Sequence, residues 1–301
     1  MAAILLALGC AGMYGAADFF AGLASRRASY VWVALVVQAT AAVILAVAAP
    51  FAGGQLSVAA ALWGAFSGIG CGAGSVALYR GFARGQMAVA GPISAVGAAV
   101  IPVLAGLVLG ERPSALTLAG VLLVFPAVWL IARAGPEPGE RRRGAAAGAG
   151  DGVLAGAGFG MLFLGLGQAP DDSGLWATAA TLVASLLVVA AMSAMSLRNA
   201  RQGPRDVAAT HQRPVAAATH RLPVGAGRIQ ALLAGIACAV APVLYAFAAR
   251  RGLLIVVAVL AALYPGVTVL LARLLLREMS SRSQLAGLAL AAAGVVAITA
   301  G

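Results

Sequence analysis

The sequence predicts an all-α integral membrane protein, with ten transmembrane helices arranged as two five-helix repeats of opposite orientation. Three observations carry this reading. Of 301 residues, 62% are hydrophobic and only 10% charged, with a mean hydropathy of +0.99; a soluble domain is about 45–50% apolar and about a quarter charged. Apolar runs long enough to cross a hydrocarbon core, roughly 20 residues for about 30 Å, recur ten times. The second half of the chain also repeats the first. The composition argues against a soluble enzyme, a disordered chain and a secreted disulfide scaffold.

Span 1 (2–23) follows Met1 without a charged leader or cleavage site, so it is expected to be retained rather than removed as a signal peptide. Ser25-Arg26-Arg27 ends it, and span 2 (30–50) closes at Pro50. Span 3 (57–79) carries Gly64, Gly68 and Gly72 four apart, with Gly70 and Gly74 between them; small residues at that spacing let helix backbones approach. Span 4 (87–109) contains Pro92 and Pro102, and span 5 (115–133) begins after Gly110-Glu111-Arg112-Pro113-Ser114. Residues 134–151, with Pro136, Pro138 and Glu140-Arg141-Arg142-Arg143, read as a linker. Span 6 (152–170) repeats the small-residue stripe with Gly152, Gly156 and Gly160, and Asp171-Asp172-Ser173-Gly174 turns the chain into span 7 (174–197). The loop 198–227 holds five arginines, three prolines, His211 and His220, and reads as solvated rather than metal-binding. Span 8 (228–249), span 9 (253–276, with Pro265-Gly266 inside) and span 10 (284–300) complete the set. No segment alternates at period two, which argues against a β-barrel.

Shifting the sequence by 167 residues superposes Gly68 on Gly235, Cys71 on Cys238, Arg84-Gly85 on Arg251-Gly252, Glu111 on Glu278 and Ser114 on Ser281. The first two spans of each half match at an offset of about 145, where Tyr14 meets Phe159 and Gly15 meets Gly160. Five spans is an odd number, so two such units in series enter the bilayer with opposite orientations. Inverted repeats of this kind place a substrate site near the midplane between the halves.

The segments Ala77-Leu78-Tyr79-Arg80-Gly81, Val89-Ala90-Gly91-Pro92-Ile93, Leu109-Gly110-Glu111-Arg112-Pro113 and Gly120 resemble the repeat of the EamA family, within the drug/metabolite transporter superfamily. A second copy contains Leu244-Tyr245, Pro265, Arg277-Glu278 and Gly287. The second copy departs from the pattern: Arg277-Glu278 replaces Gly-Glu, and its proline falls a turn early relative to Pro102. The resemblance implies EamA-like repeats over 1–133 and 152–301. It also implies a central cavity lined by spans 3, 4, 8 and 9 with contributions from 1 and 6, and cytoplasmic termini.

Candidate site residues follow from what is costly in lipid. Asp18 is the only acidic residue the reading places inside an apolar span. Ionisable residues there face the bundle interior and are functional candidates by default; proton coupling, contact with a cation, or a structural pair with Arg26 would each suit it. Tyr14, Tyr245 and Tyr264 lie inside spans, where a phenol needs a hydrogen-bond partner and offers a ring for stacking. Ser75, Ser94 and Gln38 are further polar candidates, with interhelical bonding as the structural alternative. Pro92, Pro102 and Pro265 are expected to interrupt spans 4 and 9, freeing carbonyls that membrane depth tolerates only toward protein or a wet cavity. Glu111 and Glu278, in the turns before spans 5 and 10, are expected to be structural, satisfying N–H groups at helix N-termini. Arg84 and Arg251 read as interfacial anchors. Trp32, Trp63, Trp129 and Trp176 fall near span ends, as an aromatic belt does. Cys10, Cys71 and Cys238 read as reduced packing residues.

All 20 basic residues are arginine, a sign of a GC-rich bacterial genome, and the net charge is +11. In a membrane chain this charge marks topology rather than nucleic-acid binding. Seventeen arginines fall on one side and only Arg112, Arg250 and Arg251 on the side of the termini. The positive-inside rule therefore places the termini outside, opposite to the implication of the family resemblance. The expected function is a secondary transporter in the bacterial cytoplasmic membrane that moves a small metabolite or drug-like solute by alternating access. Its partners are that solute and the bilayer, with no cofactor and no metal, and nothing demands an oligomer. There is no G-x-x-x-x-G-K-[ST] motif for direct ATP drive. The alternatives are an intramembrane enzyme, for which no H-E-x-x-H, G-x-S-x-G or in-span histidine is found, and a non-transporting sensor or scaffold.

Overall fold

The computed structural model describes residues 1–25, 27–83, 87–132, 145–202, 225–276 and 281–301. Among these it is all-helical. The helices are α1 (Ala2–Ser25), α2 (Tyr30–Ala48), α3 (Val58–Ala83), α4 (Met87–Val108), α5 (Ala115–Ala132), α6 (Ala145–Gly167), α7 (Trp176–Gln202), α8 (Ala226–Ala249), α9 (Leu254–Ala261), α10 (Tyr264–Leu276) and α11 (Arg282–Ala300). They supply ten membrane-length apolar spans among the described residues, with α9 and α10 sharing one, Leu254–Leu276.

Two boundaries differ from expectation. The segment read as a linker to residue 151 is already helical from Ala145, because Ala145-Ala146-Ala147 are strong helix formers. Asp151 therefore sits inside α6, buried, with Arg80 bonded to its Oδ1 at 2.6 and 2.9 Å. Pro92 and Pro102 do not interrupt span 4: α4 is continuous through both. Each proline removes one backbone bond, and α4 is braced along its length by α6 and α9. Span 9 is broken as expected, but at Ala262-Leu263, immediately before the proline. Pro265 lies in the first turn of α10, where its missing N–H costs nothing.

The expected N-terminal caps are reassigned. Ser114, not Glu111, caps α5, accepting from Thr117 N–H at 3.1 Å. Ser281 and Gln284 form a reciprocal capping box on α11, at 3.2 and 2.9 Å. Glu278, to which that role was assigned, lies outside the described residues, as do Arg26 and Arg84.

The most extensive packing joins α1 to α8, α3 to α6 and α7, α4 to α6, and α5 to α11. Glycines make it possible. Gly64, Gly68 and Gly72 lie against Ala177–Val188 of α7, while Gly70 and Gly74 face Gly158 and Phe159 of α6. Gly152, Gly156 and Gly160 lie on α4 at Ala90, Gly97 and Ile101. A Cβ at most of these positions would strike a neighbouring backbone. Leu5, Val47, Leu62, Leu122, Leu187 and Val296 are exposed on the outside of the bundle, as a lipid-facing surface requires. By contrast every residue of α9 is buried.

Candidate functional site: a central cavity with one carboxylate

The apolar core is densest in the half of the bundle that contains the chain termini. There α9 packs with Ala3, Ala7 and Cys10 of α1, Leu162 and Leu166 of α6, and Tyr245 and Ala248 of α8. Glu111 holds α9 in place from the turn before α5: Leu254 and Ile255 N–H donate to its Oε1 and Oε2 at 2.6 and 3.0 Å. Glu111 is thus a helix cap, as its position suggested, but for a helix 143 residues away. Arg250, at the end of α8, closes the same side, with its guanidinium 3.0 Å from Ser173 Oγ, 3.2 Å from the Gly174 carbonyl and 3.7 Å from Asp171.

In the other half of the bundle a cavity lies between α1, α2, α3, α6, α7, α8 and the start of α10. Its α1 wall (Tyr14, Ala17, Asp18, Ala21), α2 wall (Ala34, Val37, Gln38) and α3 wall (Cys71, Ser75, Leu78) belong to the halves of those helices facing away from the termini. The floor is aromatic. Tyr14 meets Phe163 edge-on at 6.1 Å and Tyr264 at 6.4 Å, and Phe163 stacks on Tyr245 at 4.6 Å.

The break between α9 and α10 positions Tyr264. Gly15 lets α1 approach that turn so closely that a Cβ would collide with the Tyr264 carbonyl and Val267. Thr268 Oγ1 donates to Gly15 O at 3.0 Å and lies 3.2 Å from Tyr264 O. One turn along α1 from Gly15, Asp18 reaches into the cavity. It is accessible there, and no described residue gives it a hydrogen bond or an ion pair.

A polar group stands on α2, α3 and α7. Gln38 Nε2 donates to Ser185 Oγ at 2.7 Å and lies 4.0 Å from Cys71 Sγ, while Gln38 Oε1, on a side chain 5% exposed, has no partner among the described residues.

The structure thus brings together Tyr14, Asp18, Ser75 and Tyr264, with Gln38. It does not bring in two other candidates. Tyr245 is fully buried behind Phe163, with its hydroxyl unpartnered among the described residues; its depth along α8 places it in the closed half. Ser94 lies behind the Tyr264 hydroxyl and donates to the Gly91 carbonyl at 2.9 Å. Helices α2 and α7 contribute to the lining and α4 does not, unlike the expected set of spans. Cys71 and Cys238 line the cavity rather than serving only as core packing, whereas Cys10 is wholly buried in the core. Phe159 and Phe163 were missed, although the repeat held a signal: Tyr14 and Phe159 are matched across it, as are Cys71 and Cys238. None of the four tryptophans lines the cavity.

Comparison with known proteins agrees with the architecture. The model of the EamA-like transporter family matches residues 1–133. A solved chain described as "Crystal structure of protein" is similar in fold with a TM-score of 0.71 at 14% identity, covering 99% of this chain and 97% of that one. No curated protein matches the sequence.

Proposed function

Because the model of the EamA-like transporter family matches residues 1–133 of this multi-pass membrane protein, we propose that the whole chain is a secondary transporter for a small metabolite or drug-like solute. The observation that carries this is the cavity itself: it lies at the middle of the bundle between helices of both halves, over an aromatic cluster, with an apolar core packed on the side of the termini. A solute bound there would sit between the two halves, where an alternating-access cycle needs its site.

The second repeat, 152–301, supplies the other half of the mechanism. Helix pairing supports an inverted relation: α1 packs on α8 and α6 on α3, pairs that exchange when the halves are superposed, while α5 with α11 and α2 with α7 are self-matched pairs. Rocking of one half against the other would slide these glycine-lined contacts and open the side now closed by α9, Glu111 and Arg250. The α9–α10 break is the point at which the closed-side segment can move while Tyr264 stays at the floor. In this reading Tyr14, Asp18, Ser75 and Tyr264 contact substrate, Pro265 supports the hinge, and any proton coupling runs through Asp18. The site is the bacterial cytoplasmic membrane, with outward permeation of the solute as the working direction.

The test is reconstitution of the full chain in liposomes and uptake of a panel of labelled solutes under a pH gradient. Saturable uptake absent from protein-free liposomes is expected, and Asp18→Asn is expected to remove its pH dependence. Uptake no faster than in empty liposomes for every solute would count against transport. A pH profile unchanged in Asp18→Asn would remove the coupling role.

A further inference from the structure

Building on that transporter reading, we infer that the cavity selects an organic ammonium ion carried on a short chain from an aromatic ring. The ammonium group sits on Asp18 and the ring against Phe159 and Phe163. Among the described lining residues Asp18 is the only charged one, and no arginine or histidine joins it. A cation is the counterpart a membrane-buried carboxylate calls for. Tyr14, Phe159, Phe163 and Tyr264 offer ring faces and edges on the neighbouring wall, and such faces attract ammonium groups as well as stacking on aromatic ones.

The lining is equally informative about what it lacks for an anion. Among the described lining residues the side-chain donors left for a carboxylate are neutral hydroxyls and thiols. At the start of α10 two first-turn positions offer no backbone donor: Pro265 has no N–H, and Gly266 N–H is bonded to the Leu263 carbonyl at 2.9 Å. Among the described lining residues a carboxylate would find no cationic partner, and leaving water without one costs affinity. An amino-acid zwitterion and an aryl acid are therefore disfavoured against the corresponding free amine.

The experiment uses the detergent-solubilised full chain and four probes that share one ring: labelled 2-phenylethylamine, with phenylalanine, 3-phenylpropanoate and 3-phenylpropanol as competitors. The amine is expected to bind on the order of tenfold more tightly than the zwitterion or the acid, the range of one charge-assisted contact. Asp18→Asn should weaken the amine by a similar factor and leave the neutral alcohol unchanged; retained alcohol binding also shows that the variant is folded. If Asp18→Asn does not fold, Asp18→Glu carries the test: kept preference for the amine over the acid supports the assignment, and lost preference overturns it. Equal or tighter binding of the acid or zwitterion, wild-type amine affinity in Asp18→Asn, or no binding of the amine by the native protein would each overturn it. Asp18-dependent amine binding without uptake into liposomes would keep this assignment and sink the transport reading. Uptake of anionic or neutral solutes without amine binding would do the reverse.

Discussion

At the scale of single residues, Glu111 shows how one carboxylate joins two distant parts of the chain. Its two oxygens take two of the N–H groups that every helix start leaves unpaired, and do so at a helix whose every residue is buried. Replacing it with alanine leaves Leu254 and Ile255 N–H groups without that acceptor in an apolar core, a cost of about 1–3 kcal/mol for each buried donor. Glu111→Ala should therefore lower the thermal midpoint of the purified protein by several degrees, with Glu111→Gln intermediate; a midpoint equal to wild type would refute the cap. Tyr14 lies at the other end of this chain of contacts, touching both Phe163 and Tyr264. Tyr14→Ala removes the centre of the cavity floor and should weaken solute binding at least several-fold in equilibrium binding, while Tyr245→Phe, in the closed core, should leave it unchanged. The candidates Tyr14, Asp18 and Tyr264 were legible because polar atoms deep in apolar runs stand out. Phe159 and Phe163 were not, since a phenylalanine facing a cavity looks the same in sequence as one facing lipid.

At the scale of helices, the glycine stripes decide which surfaces meet. Gly68 admits Thr181 and Ser185 of α7 so closely that a side chain has no room, whereas Gly22 has open space around it. Gly68→Val should therefore abolish recovery of monodisperse protein by size-exclusion chromatography, and Gly22→Ala should leave it unaffected; equal recovery of both variants would contradict the packing. The stripes themselves were evident from their spacing, but not their partners: α3 presents one glycine row to α7 and another to α6. The prolines teach the opposite lesson. Pro92 and Pro102 sit in a continuous helix, while the break in span 9 falls beside Pro265. A lost backbone bond is a local property, but whether the helix yields depends on what braces it.

For the whole molecule, the two sides differ in both charge and packing. The side of the termini carries Glu111, Arg250 and the buried α9, and the cavity walls on α1, α2 and α3 belong to the helix halves nearer the side that bears seventeen of the twenty arginines. The charge bias puts that arginine-rich side in the cytoplasm, so a cytoplasm-only reporter fused at Gly301 should be inactive and a periplasm-only reporter active. The reverse result would place the arginine-rich side, and with it the cavity half of the bundle, outside.

By itself the sequence determined that the chain lives in lipid, how many times its described part crosses, where its glycine faces lie, and that Asp18 stands out among its membrane-embedded side chains. These properties are written in local hydropathy and spacing. Only the tertiary structure decided that Glu111 caps α9 rather than α5, that Tyr245 is core and Phe163 is floor, and that Cys71 and Cys238 face the cavity. The physical reason is that lipid and protein interior are equally apolar. A membrane helix can be hydrophobic all round, so no periodicity marks the face that meets a neighbour, a cavity or the bilayer. That choice is made by close packing between helices more than a hundred residues apart.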